Sequence, residues 1–132
     1  MSDLFISYQS ADPLALSFQV QLREWAAKHW EFPTLSFHEQ RLPEKFMGLR
    51  AASTKRRLRR EIKRSHRILI IISRETWQSE WADWEIATAR QADKQVLAAK
   101  LDSANISPIE LLAADPAWIE PFDPEILTQT TF

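Results

Sequence analysis

The chain has 132 residues, the size of one ordinary domain, so we expect a single domain over residues 1–132. With 45% hydrophobic and 27% charged residues and a formal net charge of −1, the composition excludes a disordered tail and favours a globular protein. The absence of cysteine excludes disulfides, thiolate metal sites and a cysteine nucleophile, and three scattered histidines argue against a metal enzyme. The longest aliphatic run, residues 68–72, is too short to cross a membrane, and no export pattern begins the chain, so we expect a soluble, cytoplasmic protein.

The start of the chain predicts a strand, a helix and a second strand. Residues 4–8 form an apolar run typical of a buried strand. Asp12 and Pro13 mark a helix start, because aspartate caps free N–H groups and proline fits the first turn. Large side chains recur along this helix at helical spacing: Leu14, Phe18, Leu22, Trp25 and His29. Residues 34–37 predict a second strand that leads into a polar loop.

The rest of the chain continues the alternation of helices and strands. Residues 48–65 predict a basic helix that buries Leu49, Leu58 and Ile62 on a common face. The β-branched run at residues 67–73 is typical of a central strand covered on both faces. We expect further elements as follows: a helix from Ser79 to about residue 93, a strand at residues 95–101, a short helix at residues 109–114 and an edge strand. The alternation predicts an α/β fold with a mostly parallel sheet between helices.

Charge is distributed unevenly along the chain. Nine lysines and arginines lie between Arg50 and Arg67 against a single acid, Glu61, and no lysine or arginine follows Lys100. No aromatic residue lies between Arg50 and Arg67, so nucleobases have no stacking platform there, and we expect no nucleic-acid partner. We expect instead that the basic segment is a solvated helix face or that it contacts an acidic surface. That surface would belong to a partner protein or to the acidic end of a second copy.

The densest aromatic and acidic cluster follows the central strand. It consists of Trp77, Glu80, Trp81, Asp83, Trp84 and Glu85. Parallel sheets bind ligands at the carboxyl ends of their strands, where this cluster meets the loops after the first two strands. A carboxylate beside an indole at that edge is partly desolvated, a common way to tune an acid or hold a cation. The plainer alternative is that the tryptophans pack and that the glutamate is a solvated surface residue.

Three motifs resemble those of TIR domains. Residues 3–8, Asp-Leu-Phe-Ile-Ser-Tyr, are similar to the first TIR box. Residues 60–73 resemble the IxxSxxxIxxxS segment, and residues 77–86 resemble the SxWxxxE element. The order and spacing of the motifs agree with the family from about residue 3 to residue 101. The form of the last element, with Trp84 directly before the glutamate, resembles the ThsB-like branch of TIR-like domains in Thoeris antiphage systems.

The resemblance implies a flavodoxin-like TIR fold, a three-layer sandwich, and a reaction. In that family the glutamate of WxxxE cleaves the nicotinamide–ribose bond of NAD+, and the matching residue is Glu85. The products that the resemblance implies are ADP-ribose or a cyclic ADP-ribose-type signal. NAD+ is the expected substrate and no cofactor is expected. The expected protein partners are another copy of the chain or an effector that reads the signal.

The same resemblance suggests substrate-binding residues around Glu85. Ser7, Tyr8 and Gln9 at the end of the first strand would line the nicotinamide or ribose side; alternatively Tyr8 packs and Ser7 caps the turn. The remaining candidates are Trp81 and two residues of the loop after the second strand, His38 and Arg41. That loop departs from the family pattern, because His38 replaces the usual aspartate and Pro43-Glu44 replaces Pro-Gly.

The sequence therefore favours a NAD+-cleaving TIR-like enzyme in antiphage defence. A competing interpretation is a TIR-like interaction module without chemistry, against which the presence of Glu85 argues. A third is a flavodoxin-like nucleotide binder or a receiver-type domain. The first strand ends in Ser7-Tyr8 instead of the paired acids of a Mg²⁺-binding phosphoacceptor pocket, which argues against the third interpretation.

Overall fold

In the computed structural model, the strands form one sheet in which every strand pair is parallel. The structure describes residues 4–8, 12–28, 35–37 and 46–119. The elements in chain order are β1 (Leu4–Ser7), α1 (Pro13–Lys28), β2 (Leu35–Phe37), α2 (Leu49–Arg64), β3 (Arg67–Ile72), a 3₁₀ turn (Thr76–Gln78), α3 (Glu80–Gln91), β4 (Gln95–Lys100), α4 (Leu111–Ala114) and β5 (Ala117–Trp118). None of the helices within these ranges is both long enough and apolar enough to cross a membrane.

The strand order places a ligand-binding edge at the ends of β1 and β3. Across the sheet the order is β2-β1-β3-β4-β5. The chain goes from β1 to one side of the sheet and then returns to the other side, so β1 and β3 form the topological switch point. Their register pairs Leu4 with Arg67 and Ser7 with Ile70. In open parallel sheets, ligands bind outside the carboxyl ends of the strands at this point.

The core has two halves, one on each face of the sheet, because alternate strand residues point to opposite faces. On one face, Leu4 and Ile6 pack with α1, whereas on the other face Phe5 packs with α2, α3 and α4. The central strand β3 contributes to both halves, and its residues from Ile68 to Ile72 are at most 1% exposed. The predicted α/β class, three-layer sandwich and parallel sheet are confirmed.

Local signals place the starts of the helices. The Asp12 carboxylate accepts hydrogen bonds from the N–H groups of Leu14 and Ala15 at 2.9 and 3.3 Å, and thereby caps α1. The Ser79 hydroxyl accepts one from Ala82 at 3.1 Å at the start of α3. Gly48, the only glycine of the chain, precedes α2 with φ 108°, a conformation that side-chain-bearing residues rarely adopt.

The predicted apolar stripe of α1 was partly wrong. Phe18 and Leu22 are buried as expected, but Leu14 is 54% exposed and Ala15 takes its place against the sheet. Leu14 lies about 90° around the helix from the centre of the buried stripe, because that stripe follows Ala15, Phe18, Gln19 and Leu22. The side chains of Trp25 and His29 lie outside the described part of the structure.

The predicted buried face of α2 needs a similar correction. Leu58 and Ile62 are buried, whereas Leu49 is 93% exposed. Nine residues separate Leu49 from Leu58, which places the two on opposite sides of the helix. Ala51, seven residues before Leu58, fills the corresponding place in the core.

Candidate active site

A serine and a glutamate meet at the carboxyl end of β1. The Ser7 hydroxyl donates a hydrogen bond to Oε1 of Glu85 at 2.9 Å. Both side chains are buried: Ser7 is 4% exposed and Glu85 is 1% exposed. The contact joins the end of β1 to α3 and lies at the edge where the strand order predicts a ligand.

The segment between β3 and α3 positions Glu85. The Ser73 N–H donates to the Thr76 hydroxyl at 2.8 Å, and the two hydroxyls lie 2.9 Å apart. Both residues are buried, so these bonds fix the turn that follows β3. Ser79 then caps α3, Ile86 packs in the core on this face of the sheet, and Ala82 is buried. Since Glu85 directly precedes Ile86, its side chain enters the core beside that contact face.

An aromatic cluster of Phe46, Trp81 and Trp84 flanks the same turn of α3. The Phe46 and Trp81 rings meet edge to face, with centroids 5.1 Å apart, and those of Trp81 and Trp84 lie 6.1 Å apart. Two α2 cations contact the cluster: Lys55 Nζ lies 3.7 Å from the Phe46 centroid, and Arg59 Cζ lies 5.5 Å from that of Trp84. The cluster therefore joins α2 to α3 one turn before Glu85.

The acids of α3 separate into different environments. Glu85 points into the core, Glu80 is exposed, and Asp83 accepts a hydrogen bond from the Glu110 N–H at 3.4 Å. Burial raises the pKa of Asp83, the Glu110 N–H bond opposes that rise, and the negative charge of Glu110 adds to it. Only Glu85 among these acids contacts the end of β1.

The structure brings together three of the residues that the sequence suggested. Ser7 and Glu85 are in contact, and Trp81 lies one helical turn before Glu85 on α3. Tyr8 packs against the core on the α1 face of the sheet. This placement agrees with the alternative in which Tyr8 is a packing residue. Gln9, His38 and Arg41 lie outside the described residues.

Sequence reasoning missed Phe46 and the two cations beside the aromatic cluster. Lys55 and Arg59 are four residues apart and flank the Leu58 and Ile62 stripe, so a helical projection would have placed them at one edge of α2. The approach of Phe46 to Trp81 depends on how α2 packs on α3, for which the sequence contains no signal.

The arrangement is suited to stabilising positive charge. A glutamate shielded from water interacts more strongly with a nearby cation than an exposed one does. Within the described ranges, no group of three histidine or acidic side chains is arranged to hold a metal ion. What the site offers chemically is a buried carboxylate with a hydroxyl beside it.

Comparisons with known proteins agree with this fold. A family model described as the Thoeris protein ThsB, TIR-like domain, matches residues 5–106. Among solved structures, the TIR domains in a structure of the activated Roq1 resistosome directly recognizing the pathogen effector XopQ match with a TM-score of 0.53 and 13% identity. That alignment covers 76% of this chain and 57% of the other chain, and at this identity it shows the fold alone. No curated protein matches the chain.

Proposed function

The chain belongs to the TIR-like domain family of the Thoeris protein ThsB, and we propose that it cleaves the nicotinamide–ribose bond of NAD+ in antiphage defence. The proposal assigns the reaction to Glu85. The observation that carries it is the buried Glu85 carboxylate, hydrogen-bonded to Ser7 at the carboxyl end of β1. Glu85 is also the glutamate of the WxxxE sequence that begins at Trp81.

One carboxylate is sufficient for this cleavage. When the bond between C1′ of the ribose and the pyridinium nitrogen breaks, its electron pair stays on the nitrogen and nicotinamide leaves as a neutral molecule. The leaving group therefore needs no general acid, unlike that of an ordinary glycosidase. Positive charge develops on the ribose, and the Glu85 carboxylate stabilises that charge and accepts hydrogen bonds from the ribose hydroxyls.

The ribose cation then reacts with an oxygen or nitrogen nucleophile. Attack by water gives ADP-ribose and releases one proton to solvent. Attack by a group of the same molecule gives a cyclic ADP-ribose-type signal. A site that excludes water favours the second route. In this proposal the product acts as a signal for a partner effector protein.

The burial of Glu85 bears on access and on a second candidate function. At 1% exposure, the carboxylate meets a substrate only after the side chains that cover it move. The same burial favours a structural role for the hydrogen bond between Ser7 and Glu85, as in an interaction module that performs no chemistry. The two functions make different predictions for a variant with a neutral side chain at position 85. Only if Glu85 is catalytic should that variant lose NAD+ cleavage.

The test is a phage challenge of cells that express the full chain. NAD+ and new ADP-ribose species are followed by mass spectrometry in the wild type and in Glu85→Gln. Glutamine keeps an oxygen that accepts the Ser7 hydrogen bond, so the fold is retained while the charge is lost. We expect the wild type to consume NAD+ and Glu85→Gln to lose this activity.

Glu80→Gln is the matched control, because it removes one negative charge from an exposed position on the same helix. It should consume NAD+ as the wild type does. Equal consumption by Glu85→Gln and the wild type would exclude the catalytic assignment and leave the interaction module as the better account.

A further inference from the structure

The Lys55 ammonium occupies an unusual position for a surface helix. Lys55 is half-buried, and its Nζ lies 3.7 Å from the Phe46 ring centroid and 5.9 Å from that of Trp81. Its hydrogen-bond acceptor is the Met47 sulfur at 3.9 Å, a weak partner. The cation thus lies over two rings of the aromatic cluster.

Within the described residues, no ion pair joins a carboxylate to Lys55. A ring contact contributes about 0.5–2 kcal/mol to holding a cation and lacks the charge-assisted hydrogen bonds that an anion such as phosphate forms. Arg59, one turn further along α2, has its guanidinium against Trp84. Two cations at one edge of α2 therefore face α3 with aromatic rings as their partners.

The α3 rings that these two cations contact belong to residues one turn and one residue before Glu85. Trp81, which Lys55 approaches, is four residues before Glu85, a rise of about 6 Å along the helix axis. In NAD+, the ribose that carries nicotinamide at C1′ carries the diphosphate at its 5′ carbon. A ribose cation beside Glu85 would therefore bring two negatively charged phosphates to within a short distance of the same turn of α3.

We propose that Lys55, with Arg59 beside it, binds the diphosphate of the dinucleotide. This inference rests on the proposed function, because it takes the ribose to lie at Glu85. The ammonium then exchanges part of its ring contact for charge-assisted hydrogen bonds to phosphate oxygens. The role of Lys55 is to position the substrate and to favour ligands that contain a diphosphate.

Kinetics on two substrates test the proposal. Lys55→Met keeps a long, unbranched side chain but removes the charge. We expect it to raise KM for NAD+ at least tenfold while kcat changes less than threefold, because the contact is to a part of the substrate remote from the broken bond. For Lys55→Met, KM for nicotinamide riboside, which has no phosphate, should stay unchanged. Lys55→Arg keeps the positive charge and should keep KM for NAD+ near the wild-type value.

Lys63→Met is the matched control, since Lys63 lies on the exposed outer face of the same helix. A second readout does not depend on turnover: calorimetric binding of ADP-ribose to Glu85→Gln protein, with and without Lys55→Met. We expect at least tenfold weaker binding in the double variant. Unchanged KM and ADP-ribose affinity in Lys55→Met, or an equal loss in Lys63→Met, would overturn the diphosphate site.

The failure of this inference differs from the failure of the proposed function. If Glu85→Gln abolishes cleavage and Lys55→Met behaves as the wild type, the diphosphate site is wrong and the reaction stands. If Glu85→Gln cleaves NAD+ at the wild-type rate, the reaction assignment is wrong. Loss of ADP-ribose binding in Lys55→Met would in that case still support an anion site on α2.

Discussion

At the scale of single residues, the site consists of a hydroxyl and a carboxylate that are 78 positions apart in the chain. Ser7 donates a hydrogen bond to Glu85, and both side chains are almost wholly shielded from solvent. A buried carboxylate that loses a donor loses stabilisation of its charge, so the two residues depend on one another.

Ser7→Ala tests this dependence. We expect the free energy of unfolding to fall by about 1–3 kcal/mol, because the variant removes a hydrogen bond to a buried acid. We also expect slower nicotinamide release, since the carboxylate is no longer oriented. Chemical denaturation and a nicotinamide assay measure the two effects.

Ser65→Ala is the control for Ser7→Ala. Ser65 is equally buried, and its hydroxyl donates to the Glu61 carbonyl at 2.9 Å near the opposite edge of the sheet. It should destabilise the fold without slowing release. A Ser7→Ala variant that is destabilised but fully active would argue against a role of Ser7 in orienting Glu85.

Asp83 predicts a pH dependence of stability. The pKa of Asp83 in the folded protein is raised above its ordinary value of 3.8, and burial of the carboxyl group is the largest cause. The folded state therefore binds this proton more tightly than the unfolded state, and stability is lost as pH rises from 3.8 through the folded pKa. Asp83→Asn lacks this loss, so we expect its stability relative to the wild type to increase across that pH range and then level off.

Urea unfolding at a series of pH values measures the effect of Asp83. Asp93→Asn, at an exposed position after α3, is the control for the loss of one negative charge. A difference between Asp83→Asn and the wild type that does not vary with pH would show that burial of the carboxylate has no energetic consequence.

The positions of Ser7, Trp81 and Glu85 were predictable because each follows from a local rule. Ser7 ends a strand, and the other two lie one turn apart on a helix that starts at that edge. Sequence reasoning placed Tyr8 with them by adjacency alone. Strand alternation instead directs Tyr8 to the opposite face, where it packs on the α1 side of the core.

At the scale of elements, α2 combines a buried apolar stripe with an outer face of like charges. Its exposed cations include Arg56, Arg60, Lys63 and Arg64. Arg60 lies one turn from both Arg56 and Arg64, and like charges at this spacing destabilise a helix by about 0.2–0.5 kcal/mol per pair. The amphipathic pattern was predictable, whereas the burial of Ala51 in place of Leu49 depended on the rotation of the helix about its axis.

Arg60→Glu should stabilise the protein. The exposed site tolerates the change, and two repulsive pairs become attractive, which we expect to add about 1–2 kcal/mol to the free energy of unfolding. The gain should shrink in high salt, because exposed charges are screened. Arg60→Gln, which only removes the repulsion, should give about half the gain. Denaturation at low and high salt provides the measurement, and destabilisation by Arg60→Glu at low salt would contradict it.

At the scale of the whole molecule, the fold was predictable because its signals are redundant. The β-branched run that forms β3 is covered on both faces, and alternating strands and helices allow few arrangements apart from a parallel sheet between helix layers. The contact of Lys55 with the aromatic cluster was not predictable, because it joins residues of separate elements through tertiary packing. The sequence therefore predicts the parts of the site that lie within one element, but not the contacts between elements.

The central claim is that the Glu85 carboxylate breaks the nicotinamide–ribose bond. Its most direct test measures release of labelled nicotinamide from NAD+ labelled in the nicotinamide ring, in extracts of phage-challenged cells that contain the wild type or Glu85→Gln at equal amounts of folded protein. We expect release by the wild type and a loss of at least a hundredfold in Glu85→Gln, because the residue acts where charge develops. Release at the same rate from both proteins would contradict it.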